Sequence, residues 1–172
     1  MRRLKQRQVH TRELDAVCQH YEFKTRQEMA DIRRVTDTYA VAPQIDEDDF
    51  AEIAATGYKL VINNRPDGES FDQMTSETAE KCAALTGLTY ASVPVSGAPT
   101  MDAVDATVKL IKDANAPIFA YCRSGTRSVT LWTLATVKAG LETPENAVEK
   151  ARNAGYDLSH LQEMLQELAC AD

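Results

Sequence analysis

Short runs of consecutive apolar residues alternate with longer segments of helical periodicity through most of this chain. Apolar runs over 59–63, 88–95 and 117–121 predict strands that are buried on both faces. Helical spacing follows, for example from Met74 to Thr86 and from Val129 to Ala139. Strands that alternate with helices of this length are typical of βαβ units. The pattern therefore predicts an α/β fold in three layers, with a mainly parallel central sheet and helices on both faces.

The ends of several predicted elements carry residues that favour turns and helix caps. Residues 32–42 alternate around a polar pair, which predicts two short strands joined by a turn. Asp46, Thr100 and Thr143 are expected to cap the helices that follow them. A last amphipathic helix is expected over residues 158–169.

The first thirty residues differ in charge from the remainder of the chain. They hold seven Lys or Arg and four Asp or Glu, although the whole chain has a net charge of −7. A helix is predicted from Glu13 to Ile32, and we interpret residues 1–30 as an N-terminal helical extension. A basic start is also found in organelle-targeting segments and membrane-surface helices, but a solvated extra helix is the interpretation we favour. Residues 31–172 then form a single catalytic domain.

Composition excludes several classes of protein. The chain is 44% apolar and 26% charged, as soluble globular proteins are, and its apolar runs are too short to span a membrane. Its start lacks the apolar core of a secretory signal, and its acidic balance argues against nucleic acid as a partner. The cysteines show neither zinc spacing nor a disulfide framework, so we expect a cytoplasmic protein without a metal or cofactor. The cysteines and histidines expected to be structural or surface residues are Cys18, Cys82, Cys170, His10, His20 and His160.

The fourth cysteine, Cys122, lies in a context that makes thiols reactive. It follows an apolar strand and begins the loop Cys-Arg-Ser-Gly-Thr-Arg-Ser, which leads into an apolar helix. Loop N–H groups and a helix N-terminus supply partial positive charge, and Arg123 and Arg127 add full charges. Such surroundings stabilise a thiolate and also bind anions. The pattern predicts that Cys122 is a nucleophile and that its substrate is small and anionic.

The other loop residues have roles that the chemistry suggests. Arg127 is expected to bind the anion bidentately, with a structural clamp on the loop as the alternative. Arg123 is expected to lie at the entrance. Ser128 would either donate a hydrogen bond to the thiolate or cap the helix. The remaining loop residues, Ser124, Gly125 and Thr126, would bind the substrate through backbone N–H groups, with Gly125 permitting backbone angles that a Cβ would forbid.

Two further loops follow strands directly, and parallel strands place such loops at one edge of the sheet. The first, 64–69, contributes Arg65 and Asp67 as candidate substrate-binding residues. Asp67 and Glu69 could reach the site, although Pro-Asp-Gly is also a common turn string. The second, 96–99, holds no acid, and Asp102 after it is interpreted as first-turn helix charge.

The Cys loop closely resembles the active-site loop of rhodanese sulfurtransferases. It also resembles the signature of cysteine-dependent phosphatases, in which five residues separate the Cys from the Arg. Here four residues separate Cys122 from Arg127. A shorter loop offers fewer N–H groups to a tetrahedral phosphate, and the loop after the preceding strand lacks an acid to protonate a leaving oxygen. Both observations favour sulfur transfer through a Cys122 persulfide.

The wider chain resembles a different family. Asp31 to Gly140 is similar to the phosphatase-like domain of bacterial beta-lactamase-hydrolase-like proteins. The matching strings are Ala-Pro-Gln-Ile at 42–45, Val-Ile-Asn-Asn-Arg-Pro-Asp-Gly-Glu at 61–69, Val-Pro-Val at 93–95 and residues 121–132. A weaker match extends to Gly-Tyr-Asp-Leu at 155–158. The resemblance implies a dual-specificity-phosphatase-like fold that carries a rhodanese-type loop. It also implies a link with sulfide and persulfide metabolism.

Three functions follow from these observations. The first is a rhodanese-like sulfurtransferase that passes sulfane sulfur to cyanide or to an acceptor thiol, with a protein thiol among the acceptors. The alternative is a cysteine-dependent phosphatase that forms a phosphocysteine. The third is a non-catalytic thiol sensor that uses Cys122 as a redox switch. We favour the first from the sequence, because the loop rather than the fold carries the chemistry.

Overall fold

A five-stranded sheet forms the centre of the computed structural model, which describes residues 30–170. Its strands are β1 (Arg33–Thr36), β2 (Tyr39–Ala42), β3 (Leu60–Asn63), β4 (Thr89–Ser92) and β5 (Ile118–Tyr121). The strand order is β1-β2-β5-β3-β4. Only β1 and β2 pair antiparallel, and β2–β5, β5–β3 and β3–β4 are parallel pairs. The prediction of a mainly parallel sheet is therefore confirmed, with the strand before Cys122 at its centre.

Six α-helices connect or follow the strands of the described chain. They are α1 (Asp49–Ala55), α2 (Ser76–Leu85), α3 (Met101–Asp113), α4 (Thr126–Lys138), α5 (Pro144–Asn153) and α6 (Gln162–Ala169). Because α1 to α4 lie between or directly after parallel strands, the loops after β3, β4 and β5 all leave the same edge of the sheet. None of the helices in residues 30–170 is long and apolar enough to cross a membrane.

Alternate residues of the central strands face opposite sides of the sheet, and both sides are buried. Ile118 and Ala120 belong to a core cluster that includes residues of α3, α4, α5 and α6. Phe119 and Tyr121 point away from that cluster and are also fully buried. Phe119 meets Tyr58 edge to face at 5.6 Å. Burial on both faces confirms the three-layer α/β class and fixes β5 from both sides.

Local capping chemistry confirms some predicted helix starts and corrects others. Thr100 accepts the Ala103 N–H at 3.3 Å, and Thr143 accepts the Asn146 N–H at 3.2 Å, as expected. The prediction that Asp46 is an N-cap is wrong. The N-cap is Asp48, and the Asp46 N–H donates to the Asp49 carboxylate at 2.7 Å in the preceding turn.

The predicted start of the last helix is wrong, and the predicted N-terminal helix is not tested. The last helix does not begin at residue 158, because a 3₁₀ turn over Ser159–Leu161 precedes α6. The predicted helix from Glu13 to Ile32 falls largely outside the described residues, as do Cys18, His10 and His20.

Candidate active site

The Cys122 thiol lies at the carboxyl end of β5 and is fully buried. The Gly125 N–H donates to its Sγ at 3.1 Å, so the loop folds back over the sulfur within three residues. Gly125 itself has φ +84° and is the N-cap of α4. This left-handed backbone angle is one that residues with a Cβ rarely adopt, as the sequence predicted for this position.

Helix α4 begins at Thr126, shortly after Cys122, and is largely buried. Nine of its thirteen residues are buried, among them Ser128 and Trp132. Its first intrahelical hydrogen bond runs from the Val129 N–H to the Gly125 carbonyl at 3.0 Å. The earlier N–H groups of the first turn have no partner within the helix and carry the positive end of its dipole. The loop therefore presents a fixed set of N–H donors to a sulfur anion or a bound oxyanion.

The Arg127 guanidinium is held by two other loops at this edge of the sheet. Its Nη1 donates to Glu69 Oε1 at 2.7 Å and to the Val95 carbonyl at 2.7 Å, and its Nη2 donates to Glu69 Oε2 at 2.8 Å. A guanidinium carries five N–H donors, so Nε–H and one Nη2–H are left for an anion. The structure thus shows Arg127 as a clamp between loops, and its role in anion binding stays a prediction.

Glu69 is shared between two arginines. Arg65 Nε donates to Glu69 Oε2 at 2.9 Å, and Arg65 Nη1 donates to Gln44 Oε1 at 2.8 Å. Arg65 is only 6% exposed, so its charge is buried and paired. The backbone N–H of Gln44 in turn donates to the Arg123 carbonyl at 3.5 Å. The loops after β2, β3, β4 and β5 are therefore linked in one network around the Cys loop.

The two arginines control the protonation of Glu69. Hydrogen bonding from Arg127, followed by that from Arg65, lowers the pKa of Glu69 from 4.5 to about 2. The pKa of Arg127 is raised, chiefly because Glu69 accepts its hydrogen bonds and further because Cys122 lies nearby. Glu69 is therefore ionised at neutral pH and does not act there as a proton donor.

The depressed pKa of Glu69 predicts a loss of stability in acid. Its contribution to folding is fully present above its usual pKa of 4.5 and is lost as the pH falls towards about 2. We expect the melting temperature of the wild-type protein to fall more steeply between about pH 5 and about pH 2 than that of Glu69→Gln. Thermal denaturation followed by circular dichroism measures both slopes. Equal slopes would show that the Glu69 network does not stabilise the fold.

Several residues predicted for the site take other roles. Asp67 is exposed and its Oδ1 accepts the Ser76 N–H at 2.8 Å, so it organises the start of α2. Asp102 lies in the first turn of α3 and is exposed, as expected for helix charge. Ser128 does not cap α4: its Oγ is buried and has no hydrogen-bond partner within the described chain. Ser124 Oγ donates to Thr126 Oγ1 at 3.1 Å, so these two side chains bond to each other.

Some site residues were not assigned a role from the sequence. Gln44 and the Val95 carbonyl take part in the arginine network, and Tyr156 Oη donates to the Ser124 carbonyl at 3.2 Å. Gln44 and Val95 lie in strings that carry the family resemblance, but nothing local in the sequence indicates their partners. Among residues 30–170, no group of three or more His, Cys, Asp or Glu side chains is arranged to hold a metal ion.

The model of one protein family matches residues 31–140, which include every loop described above. Its description is beta-lactamase hydrolase-like protein, phosphatase-like domain. The chain belongs to this family. A beta-lactamase hydrolase-like protein of Agrobacterium fabrum is 31% identical over 140 residues, which are 80% of this chain and 32% of that protein. The chain thus spans about a third of the length of the curated relatives that it matches.

Solved structures show the same fold. A "putative phosphatase" of Neisseria meningitidis is 29% identical with a TM-score of 0.70, over 82% of this chain and 99% of that one. A kinase-associated phosphatase whose catalytic-site cysteine is replaced by serine is 13% identical with a TM-score of 0.65, over 85% of this chain and 99% of that one. The fold is therefore that of the dual-specificity-like phosphatases. These findings support the phosphatase alternative over the sulfurtransferase that we favoured from the loop length.

Proposed function

We propose that this domain is a cysteine-dependent phosphatase that hydrolyses a small phosphate monoester through a phosphocysteine on Cys122. The observation that carries the proposal is the buried Cys122 thiol, which accepts the Gly125 N–H at the start of α4. The family and the fold support a phosphatase-like site around it. Arg127, with donors left beyond its ion pair, supplies the positive charge that a phosphoryl group needs.

In the first step, the Cys122 thiolate attacks the phosphorus atom. A P–S bond forms, the P–O ester bond breaks, and the leaving oxygen departs with the bonding electron pair as an alkoxide or phenolate, which takes up a proton from water. Arg127 and the N–H groups of the first turn of α4 stabilise the charge on the three remaining phosphoryl oxygens. Arg123, which is exposed at the loop, is placed to attract the anion.

In the second step, water attacks the phosphocysteine. A P–O bond forms, the P–S bond breaks, and inorganic phosphate leaves while the thiolate is restored. Ser128 is a candidate donor here, because its buried hydroxyl has no partner in the described chain. Hydrolysis of the intermediate requires no cofactor.

The site favours substrates whose leaving group departs easily. Glu69 is ionised by its two arginines, and Asp67 is engaged at the start of α2. The loop at 96–99 carries no acid. With no proton donor assigned from these positions, aryl phosphates are better substrates than alkyl phosphates, because the phenolates that they release are weaker bases than alkoxides.

Sulfur transfer is the second candidate, because four rather than five residues separate Cys122 from Arg127. In that reaction the Cys122 thiolate would take the sulfane sulfur of a donor such as thiosulfate and release sulfite. The persulfide would then pass its outer sulfur to cyanide or to a thiol. Both candidates use the same nucleophile, so only the group transferred distinguishes them.

A paired assay tests the proposal. We expect hydrolysis of p-nitrophenyl phosphate at neutral pH, and little thiocyanate from thiosulfate and cyanide. Acid quenching during turnover, followed by mass spectrometry, should place one phosphoryl group on the Cys122 peptide. Thiocyanate formation without phosphate release, together with a sulfur atom on that peptide, would overturn the phosphatase in favour of the sulfurtransferase. Neither activity, with Cys122 still rapidly alkylated, would favour the thiol sensor.

A further inference from the structure

One peptide unit of the Cys loop is bonded at both of its ends. The Ser124 carbonyl accepts a hydrogen bond from Tyr156 Oη at 3.2 Å, and the Gly125 N–H donates to Cys122 Sγ at 3.1 Å. The carbonyl and the N–H belong to the same planar trans peptide and point in opposite directions. Tyr156 and the Cys122 sulfur are therefore connected through a single rigid group.

This peptide needs an external restraint because glycine follows it. Reversing the peptide requires a large change in φ of the following residue, and glycine adopts both signs of φ readily. If the peptide reversed, the carbonyl oxygen rather than the N–H would face the sulfur. A carbonyl dipole in that direction would repel a thiolate and a bound phosphoryl group alike. The hydrogen bond from Tyr156 opposes this reversal.

Tyr156 is well placed to act as that restraint. Its side chain is buried, and burial is the main cause that raises the pKa of its phenol, so the hydroxyl remains a donor at neutral pH. The Arg33 guanidinium lies 5.1 Å from the centre of its ring, and Arg33 is itself bonded to Asp31. The Tyr156 ring therefore has a charged neighbour in addition to its hydrogen bond to the loop.

The fit between Tyr156 and the loop is close. A Cβ on Gly125 would lie 2.0 Å from Tyr156 Oη and 2.9 Å from Cζ. No side chain can occupy this position without displacing the tyrosine. Glycine at 125 is therefore required both by its φ and by the approach of the Tyr156 hydroxyl.

We propose that Tyr156 is a positioning residue, which holds the Ser124–Gly125 peptide so that its N–H points at the Cys122 sulfur. The residue lies beyond residues 31–140, the part of the chain that matches the family model. The inference rests on the proposed function only in taking Cys122 as the nucleophile. It applies to a thiolate whatever group that thiolate attacks.

Tyr156→Phe tests the proposal, because it removes the hydroxyl and keeps the ring and its contact with Arg33. The rate of Cys122 alkylation by iodoacetamide is measured against pH and read by mass spectrometry of the Cys122 peptide. We expect the midpoint of this profile to rise by about one pH unit, as loss of one hydrogen bond to a charged group implies. The acid limb of kcat/KM for p-nitrophenyl phosphate should move by the same amount.

Tyr58→Phe is the matched control. Tyr58 is also buried and packs on Phe119, but it precedes β3 and so lies at the opposite edge of the sheet from the Cys loop. Tyr58→Phe should leave the pH profiles of Cys122 alkylation and of kcat/KM unchanged. A Tyr156→Phe protein with the wild-type alkylation midpoint would overturn the proposal, including when its melting temperature alone is lower. If the midpoint moves but no variant hydrolyses phosphate esters, the proposed function fails while the role of Tyr156 stands.

Discussion

Replacing Cys122 with serine is expected to lower kcat/KM for p-nitrophenyl phosphate by about 10³-fold or more, the scale seen when catalytic nucleophiles are removed. A serine hydroxyl stays protonated at neutral pH, and Glu69, the ionised carboxylate on Arg127, is already paired with two arginines. Steady-state release of p-nitrophenol measures the loss. The acid-quenched phosphoryl adduct on the Cys122 peptide should disappear as well.

Cys122→Ser leaves the phosphate-binding groups in place, so a loss of activity reports on the nucleophile. Arg127 and the N–H groups of α4 do not depend on the sulfur for their positions. Cys122→Ser should therefore bind inorganic phosphate as the wild-type protein does in calorimetry. Cys82→Ser is the matched control, because Cys82 is a free, partly buried thiol on α2 away from the loop. Retention of most activity in Cys122→Ser would exclude a phosphocysteine mechanism.

Replacing Arg127 with lysine is expected to lower kcat/KM by about 10²-fold, the lower end of the losses that follow removal of one transition-state donor. An ammonium keeps the charge but has three N–H donors, the number that the guanidinium already uses on Glu69 and Val95. The transition state carries more charge on the oxygens than the bound ester does. Both kcat and the affinity for phosphate should therefore fall.

Measurements on Arg127→Lys distinguish a role of Arg127 in phosphate binding from a role in holding the loops together. If Arg127 served only to hold the loops together, Arg127→Lys would lower the melting temperature while the affinity for inorganic phosphate stayed at the wild-type value. Arg152→Lys, at an exposed position of α5, makes the same chemical change away from the network and should alter neither quantity. A kcat/KM within a few-fold of wild type would contradict a role for Arg127 in the reaction.

The length of the Cys loop and the fold of the domain favour different functions. From the number of residues between Cys122 and Arg127 we favoured sulfur transfer, whereas the family and the structural neighbours favour a phosphatase. Counting residues assumes that all the donors come from the loop. In the structure, α4 already begins at Thr126 within the loop, and Glu69 fixes Arg127 from another segment. Residues outside the loop therefore help to shape the anion site, which the loop length alone does not describe.

Local sequence determined most of the elements and where Cys122 lies among them. An apolar run, a loop with one glycine and an apolar helix are contiguous, so the strand–loop–helix around Cys122 could be predicted without knowledge of the rest. Thr100 and Thr143 cap helices through atoms three residues away, which is also a local matter. The convergence of the loops followed from the rule for parallel strands, which needs only the order of elements.

Only the tertiary structure decided which side chains complete the site. Glu69 meets Arg127 across 58 residues of sequence, and Tyr156 meets the Ser124 carbonyl across 32. Glu and Asp occur in turns, caps and ion pairs alike. The string that contains both residues therefore did not show that Asp67 accepts a hydrogen bond from the start of α2 while Glu69 pairs with two arginines. Such assignments depend on which surfaces the packed sheet brings together, and that packing involves residues throughout the chain.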